Sequence, residues 1–476
     1  MTQEHKSNFE LWSEEQEFLK PVKREHPEWF KHPKDADIAA IYKSVGIELP
    51  EDFNSFPKGY VKFHPFDFIV EEVGEDRKIT TVENGECKIE NYTETPKTIY
   101  ATLVKLGAST LDVTKELAKY LSIDPKQIGY AGIKDAVALT AQRISIRGVR
   151  AEKLEALPKN INWFLKDIEY SNGALNKGQL FGNKFTIFVR TEESLDSEKL
   201  EKDLRKIESE GFWNFFWFQR FGNRLLGHKM GASVMRGNYT EAVRNYLVQS
   251  GMNDLPIYKA IRDQANKSFG NWTAMKKVFM GFPFSMRNEL LMLDYLIENG
   301  KDYQGALKQV PEQIAIWVQA FSSFLFNKML SKYALEGQTP PNVLPIASSN
   351  IREERELYGK WIKEERVPMG FDDHLKPFYL HIQYKSIKIP TKIYPKIHSF
   401  QVVPEGLVVS FTLDKGAYAT TFLSHLFRLY GIESENIKDI TYDIKALLKN
   451  GNSVETFERL KNFIPERQAE AEINNT

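Results

Sequence analysis

Segments with strand character lie towards both ends of this chain, and a long stretch with helical character separates them. Strand patterns recur from Gly59 to about Thr191, helical patterns fill about 224–370, and strands return in YKSIKIPTKIY and GLVVSFTL. A sheet must bury one face against another layer, and strands far apart in sequence can still share one sheet. Strands, then helices, then strands predict a split α+β domain carrying a helical insertion.

Local patterns place the elements. VKFHPFDFIVEEV reads as a strand with a turn at Pro65, and KTIYATLVKLG as a second strand. STLDVTKELAKYL reads as a helix capped by Ser109 or Thr110, with Leu111, Leu117 and Leu121 near one face. IGYAGIKDAVALTAQRISIRG reads as strand, loop, strand, and NWFLKDIEYS and NKFTIFVRT as strands. Residues 80–96 form a polar hairpin or loop, and a helix covers about 197–209. Residues 1 to about 50 carry Phe18, Leu19, Val22, Trp29 and Phe30 at loose helical spacing, and read as a helical extension rather than a core. A helix from about 417 and a charged helical tail close the chain.

Composition narrows the class of function. The chain has 476 residues, enough for two or three domains. Its 64 basic and 64 acidic residues cancel, which argues against a bulk polyanion binder but permits a local RNA groove. The single cysteine, Cys87, excludes an intramolecular disulfide framework and any multi-cysteine zinc site, and the nine histidines show no H-x-x-H spacing. No metal site and no cofactor are expected. There is no window of about 18 uninterrupted apolar residues, and MTQEHKSNFELWSEEQ contains no apolar signal core. A cytoplasmic protein is expected, with no membrane association, no implied protein partner, and a monomer as the default.

Two windows lack Asp and Glu. Gly211 to Thr240 carries Arg220, Arg224, Lys229 and Arg236 among the aromatic residues of GFWNFFWFQRFG. His374 to Pro404 carries Lys376, Lys385, Lys388, Lys392 and Lys396. Aromatic faces stack on unpaired bases and cations neutralise phosphates, so both windows are candidate RNA-binding segments. The competing reading is an aromatic core beside a solvated strand edge.

The segment GYAGIKDAVALT puts Lys134 and Asp135 after a Gly-flanked turn at a strand end. Such a loop can present a carboxylate into a cleft, although the composition alone fits an ordinary turn. The segment is one of six motifs that occur in a single order: KFHPFDFIVEEV at 62–73, YAGIKDAVALTAQ at 130–142, GQLFGNKFTI at 178–187, NFFWFQRFG at 214–222, FSSFLFNKML at 321–330 and VVSFTLDKGAYATTFL at 408–423. Together they resemble the TruD family of pseudouridine synthases over about 60–430. Three positions depart from the family pattern. Ala136 stands where a basic residue is usual, Trp217 where glycine is usual, and Asp414 where proline is common.

The resemblance implies a pseudouridine synthase catalytic domain with a mixed, largely antiparallel sheet, in two parts at 56–223 and 389–432. A TRUD insertion domain at 224–388 would split it and form another wall of the RNA cleft. An N-terminal helical extension (1–55) and a C-terminal helical tail (433–476) would flank it. The implied substrate is tRNA, at uridine 13, and the implied catalytic carboxylate is Asp135, acting as nucleophile or as base at C2′. Lys62 would pair with that carboxylate and keep it ionised. Phe185 would stack on the target base, Asn183 would orient the loop or contact the nucleotide, and Phe68 would wall the pocket, with Lys134 supporting the site. Asn214, Gln219, Arg220, Arg224, Lys385 and Lys388 would bind RNA. The target base would have to leave its stack, at a cost of a few kcal/mol.

Ordinary structural roles compete at each position: an exposed strand lysine at 62, a core ring at 185, a turn asparagine at 183 and a buried pair at Arg220. Two other functions compete as well. A catalytically silent RNA-binding or RNA-chaperone protein would keep the fold without the chemistry, and a family member could act on other tRNA sites or other RNAs. A metal-dependent RNA hydrolase fits poorly, because Glu71–Glu72 and Asp372–Asp373 are adjacent pairs that would point to opposite faces of a strand.

Overall fold

The structure, a computed structural model, describes residues 8–31, 37–51, 53–85, 89–90, 98–159, 161–252, 254–347, 352–368, 370–378, 387–430, 437, 440–449 and 451–463. Cys87 and Lys385 lie outside these residues. The chain forms two compact units, Met1–Ser55 with Trp213–Lys392, and Phe56–Phe212 with Ile393–Thr476.

The second unit is built on an 11-stranded sheet. Its first eight strands are β1 (Lys58–Tyr60), β2 (Phe68–Val73), β3 (Ile89–Glu90), β4 (Thr98–Leu106), β5 (Ile128–Tyr130), β6 (Leu139–Arg147), β7 (Trp163–Ser171) and β8 (Gly182–Arg190). Strands Lys396–Val403, Gly406–Asp414 and Arg428–Tyr430 return from the far end of the sequence. The main order is Lys396–Val403, Gly406–Asp414, β8, β2, β6, β4, β7, β3. Most pairs are antiparallel; β2–β6, β3–β7 and β1 with Arg428–Tyr430 are parallel. The expected mixed α+β sheet is therefore present.

Side chains alternate along each strand, so register decides which residues share a face. Phe68, Val70, Phe185, Ile187, Val409 and Phe411 gather on one face under the Ser197–Glu210 helix, which contributes Leu200 and Leu204. Farther along that face, Leu103, Ile144 and Ile146 pack against helix Thr110–Leu121 through Val113, Leu117 and Leu121. Ser109 caps this helix, accepting from the Asp112 backbone N–H at 3.1 Å. Leu111, expected on the buried face, is 43% exposed; Val113, Thr114 and Ala118 complete the stripe instead.

The opposite face is covered by a segment expected to be a charged tail. Ile444, Leu448 and Leu460 are buried against Ile69, Leu139 and Phe188, and the Lys445 ammonium reaches Glu71 Oε1 at 2.8 Å inside the core. The described part of the tail is thus a layer of the fold. Its short helices, Ile444–Leu447 and Val454–Leu460, blur the helical period from which its role would be read.

The first unit is helical. Its longest helix, Pro311–Leu335, buries Trp317, Phe321, Phe326 and Leu330 on several sides, as a central helix must. It packs against helix Gly227–Met235 at Gly231, where an added Cβ would come within 2.1 Å of the Trp317 carbonyl oxygen. The described N-terminal residues belong to this core and are not an appended extension. Ile41, Tyr42, Val45 and Ile47 are buried, and the buried carboxylate of Glu15 accepts from the backbone N–H groups of Phe284 and Ser285 at 2.9 and 2.8 Å. Phe284, Ser285 and Asn327, which meet Glu15 and the Val45 carbonyl, lie more than 200 positions away, so local periodicity understates this burial. The unit also takes in the aromatic segment after Trp213: Phe216 meets Phe326 edge-on at 5.5 Å, and its backbone N–H donates to Asn327 Oδ1 at 2.8 Å. The divisions accordingly fall at 212/213 and 392/393, against the expected 223/224 and 388/389. Trp217, a departure from the family pattern, packs on Tyr42 at 4.9 Å.

Candidate active site

On the helix-covered face of the sheet, the apolar alternation is broken by a row of polar side chains. Register aligns Asn183 of β8 with Glu72 of β2, Thr140 of β6 with Val70 of β2, and Lys105 of β4 with Thr140. Gln142 lies two residues beyond Thr140, on the same face. The loop between β5 and β6, which contains Lys134 and Asp135, is anchored to this row.

Each anchor can be named. Thr110, the first residue of its helix, accepts from the Lys134 backbone N–H at 3.0 Å and donates to Gln142 Oε1 at 2.8 Å. Gln142 Nε2 donates to the Gly132 carbonyl at 2.9 Å. The Lys134 ammonium is buried, 2.8 Å from Glu72 Oε2 and 2.7 Å from Asn183 Oδ1. Glu72 Oε1 in turn accepts from the Arg143 backbone N–H at 3.1 Å. Lys105, fully buried, donates from Nζ to the carbonyls of Ala108 and Asp135, both at 2.7 Å. A loop tied at so many backbone points holds one geometry.

From this base the Asp135 side chain turns outward, 44% exposed, and among the described residues it pairs with one cation, Lys62, whose Nζ lies 3.0 Å from Oδ1. Lys62 also sits over the Phe68 ring, 4.6 Å from its centroid. Its backbone is left-handed, with φ 59°, a conformation that costs a non-glycine residue of order 1 kcal/mol or more and recurs at functional sites. Burial pushes the Lys105 ammonium down to about 7 from its ordinary 10.5; the Asp135 charge opposes this, and the charges of Lys134 and Lys62 add to it.

The structure brings Lys62, Phe68, Lys134, Asp135, Asn183 and Phe185 together in the sheet unit. Phe185 is buried at 6% exposure, stacked on Phe411 at 5.4 Å and edge-on to Phe68 at 6.1 Å. One of its faces is thus already occupied by protein. Lys105 and Gln142 are not among the sequence-predicted site residues, and Glu72 entered only as half of a poorly fitting metal pair. The available signal was polar residues at inward positions of otherwise apolar strands, most visibly the lysine in TLVKL.

The remaining candidates lie in the helical unit. Asn214 is buried and donates from Nδ2 to the Pro390 carbonyl at 2.9 Å. Gln219 is exposed. Arg220 donates to Gln319 Oε1 at 2.8 Å and lies over the Phe216 ring. Lys388 is exposed on a short strand paired with Val343–Pro345. Arg224, expected to bind RNA, is directed inward instead. Its Nη1 donates to the Tyr246 and Gln249 carbonyls at 2.9 and 3.0 Å, and burial pushes the guanidinium down to about 10. It satisfies the open carbonyls at the end of helix Tyr239–Val248. Among the described residues, no group of three or more His, Cys, Asp or Glu could hold a metal ion, and no helix is long and apolar enough to cross a membrane.

The sequence matches the family model for tRNA pseudouridine synthase D (TruD) over residues 56–344. A protein of Methanococcus aeolicus named a probable tRNA pseudouridine synthase D is 30% identical over 400 residues, covering 77% of this chain and 95% of that one. A similarly named protein of Methanocaldococcus jannaschii is 29% identical over 396 residues, covering 78% and 95%. A crystal structure from Methanosarcina mazei, described as that of a candidate tRNA pseudouridine synthase D (TruD), superposes with a TM-score of 0.62 at 23% identity, over 81% of this chain and 97% of that one. This last likeness is one of fold.

Proposed function

The chain belongs to the TruD family of tRNA pseudouridine synthases, and from that premise we propose that it isomerises uridine 13 of tRNA to pseudouridine with Asp135 as its catalytic carboxylate. The observation that carries this reading is the contrast within one loop. The backbone of Asp135 is pinned to the sheet, while its carboxylate stands half-exposed beside Lys62.

The chemistry breaks the bond from ribose C1′ to uracil N1, turns the base, and joins C1′ to C5. The C5 proton is lost and N1 gains one, so the product is an isomer and no redox partner is needed. An ionised carboxylate can attack the ribose or take a proton at C2′, and Lys62 stands 3.0 Å from it. The target nucleotide would have to be extruded from its stack to reach an aspartate on a rigid loop. Phe68, lying under Lys62, and its neighbour Phe185 offer an apolar wall for the base. Asn183 acts through Lys134, whose ammonium it accepts.

The test is to incubate purified protein with tRNA and map pseudouridine along the product. Modification is expected at position 13, and a transcript with cytidine there should stay unmodified. Activity is expected to survive EDTA on folded tRNA; loss restored by zinc would overturn the metal-free reading. Modification confined to other uridines would keep the enzyme and overturn the position. Absence of any modification on several tRNAs and other RNAs would favour a silent binding protein.

A further inference from the structure

Lys105 takes no part in the chemistry just described, yet its charge is fully buried. A fully buried ammonium is expensive when, among the described residues, no carboxylate is in hydrogen-bond contact with it and both of its acceptors are backbone carbonyls. A methionine or leucine would fill the same space in β4 without that cost. One acceptor, Ala108, precedes the cap of helix Thr110–Leu121; the other is the Asp135 carbonyl. Asp135 is therefore held at both ends, its carboxylate by Lys62 and its backbone by Lys105.

We propose that Lys105 is a positioning residue for the isomerisation: its charged ammonium grips the Asp135 carbonyl and thereby sets the aim of the carboxylate. The inference rests on the assignment of Asp135 made above. Charge-assisted hydrogen bonds are roughly twice as strong as neutral ones, so the grip weakens when the proton leaves. The charges that bear on Lys105 come from three directions. Asp135 and Lys134 lie on the loop, Lys62 on the segment after β1, and Asp112 on the helix; the two carboxylates retain the proton and the two lysines expel it. With the proton leaving at about 7, the grip is strong below neutrality and is lost as pH rises.

The experiment measures kcat, KM, tRNA affinity and thermal midpoint against pH for wild type, Lys105→Met, Lys105→Gln and Asp135→Asn. Wild-type kcat is expected to fall about tenfold from pH 7 to pH 9, with KM nearly flat. Lys105→Met should lower kcat at pH 7 by about tenfold or more, leave tRNA affinity within about twofold, and abolish the alkaline fall. Lys105→Gln, which keeps a donor without the charge, should also lose the alkaline fall; it carries the test if the Met variant does not fold. A flat wild-type profile, an alkaline fall that persists in either folded variant, or a variant whose activity per folded molecule is wild-type overturns the proposal. If wild type makes no pseudouridine, or Asp135→Asn remains active, the assignment of Asp135 fails instead. An inactive Asp135→Asn beside a fully active Lys105→Met overturns the positioning role alone.

Discussion

Lys134 and Asp135 are consecutive residues of one loop, yet their side chains occupy different media. The Lys134 side chain is 4% exposed and meets a Glu72 carboxylate that is 3% exposed, whereas the Asp135 side chain is 44% exposed and its partner Lys62 27%. A buried pair has already paid its desolvation cost, and breaking it leaves an uncompensated charge. An exposed pair is worth little to folding and remains free to be redirected by a substrate. The loop thus places a buried ion pair and an exposed one at consecutive residues, and under the proposed function the two should fail differently.

The sharpest way to break this contrast is Asp135→Asn. Turnover is expected to fall by on the order of a thousandfold or more, with thermal midpoint and tRNA affinity nearly unchanged. Near wild-type turnover in the folded variant would end the assignment. Lys134→Met should show the converse pattern. Stripping Glu72 of its cation should cost about 3–5 kcal/mol in urea or guanidinium unfolding, and the loss of activity should follow the loss of folded protein. Stability within about 0.5 kcal/mol of wild type would mean that water relieves the Glu72 charge. A smaller effect is expected for Lys62→Gln: about tenfold in kcat/KM with the fold intact. An unchanged kcat/KM would make Lys62 a bystander to Asp135. Smallest is Lys388→Ala, which should reduce the slope of log tRNA affinity against log salt by about one without changing kcat. An unaltered slope would leave this lysine a solvated strand edge.

Lys105 adds a contrast of its own between stability and activity. The unfolded chain, with a lysine near 10.5, binds a proton that the folded chain has released above about 7. The Lys105 contribution to stability is therefore lowest below pH 7 and recovers as pH rises towards 10.5, while the proposed grip on Asp135 weakens over the same range. Comparing pH-dependent unfolding of wild type and Lys105→Met isolates this term, because only wild type carries it.

How much of this was legible in the sequence depended on the distance between partners. The cap at Ser109, the turn at Pro65 and the strand–loop–strand around Asp135 were readable because their determinants lie within a few residues. The same holds for the six ordered motifs, each a short run. The Lys134–Glu72 pair was not readable, since it needs β2 beside β6 in one register; a slip of one residue would put Glu71 on that face instead. Arg224 read as a phosphate ligand because its window holds no acid, yet three-dimensional neighbours supply carbonyls that consume its guanidinium.

The sequence by itself determined the split α+β order, the family, and the single loop that carries the catalytic candidate, because these rest on local period and contiguous residue identity. Only the tertiary structure decided which polar residues share the inward face with that loop. It also decided that the described residues among the first fifty complete the helical core and that those between Ile440 and Phe463 cover the back of the sheet. Burial and face are properties of pairing between distant strands and helices, and a linear period cannot encode a partner that lies hundreds of residues away.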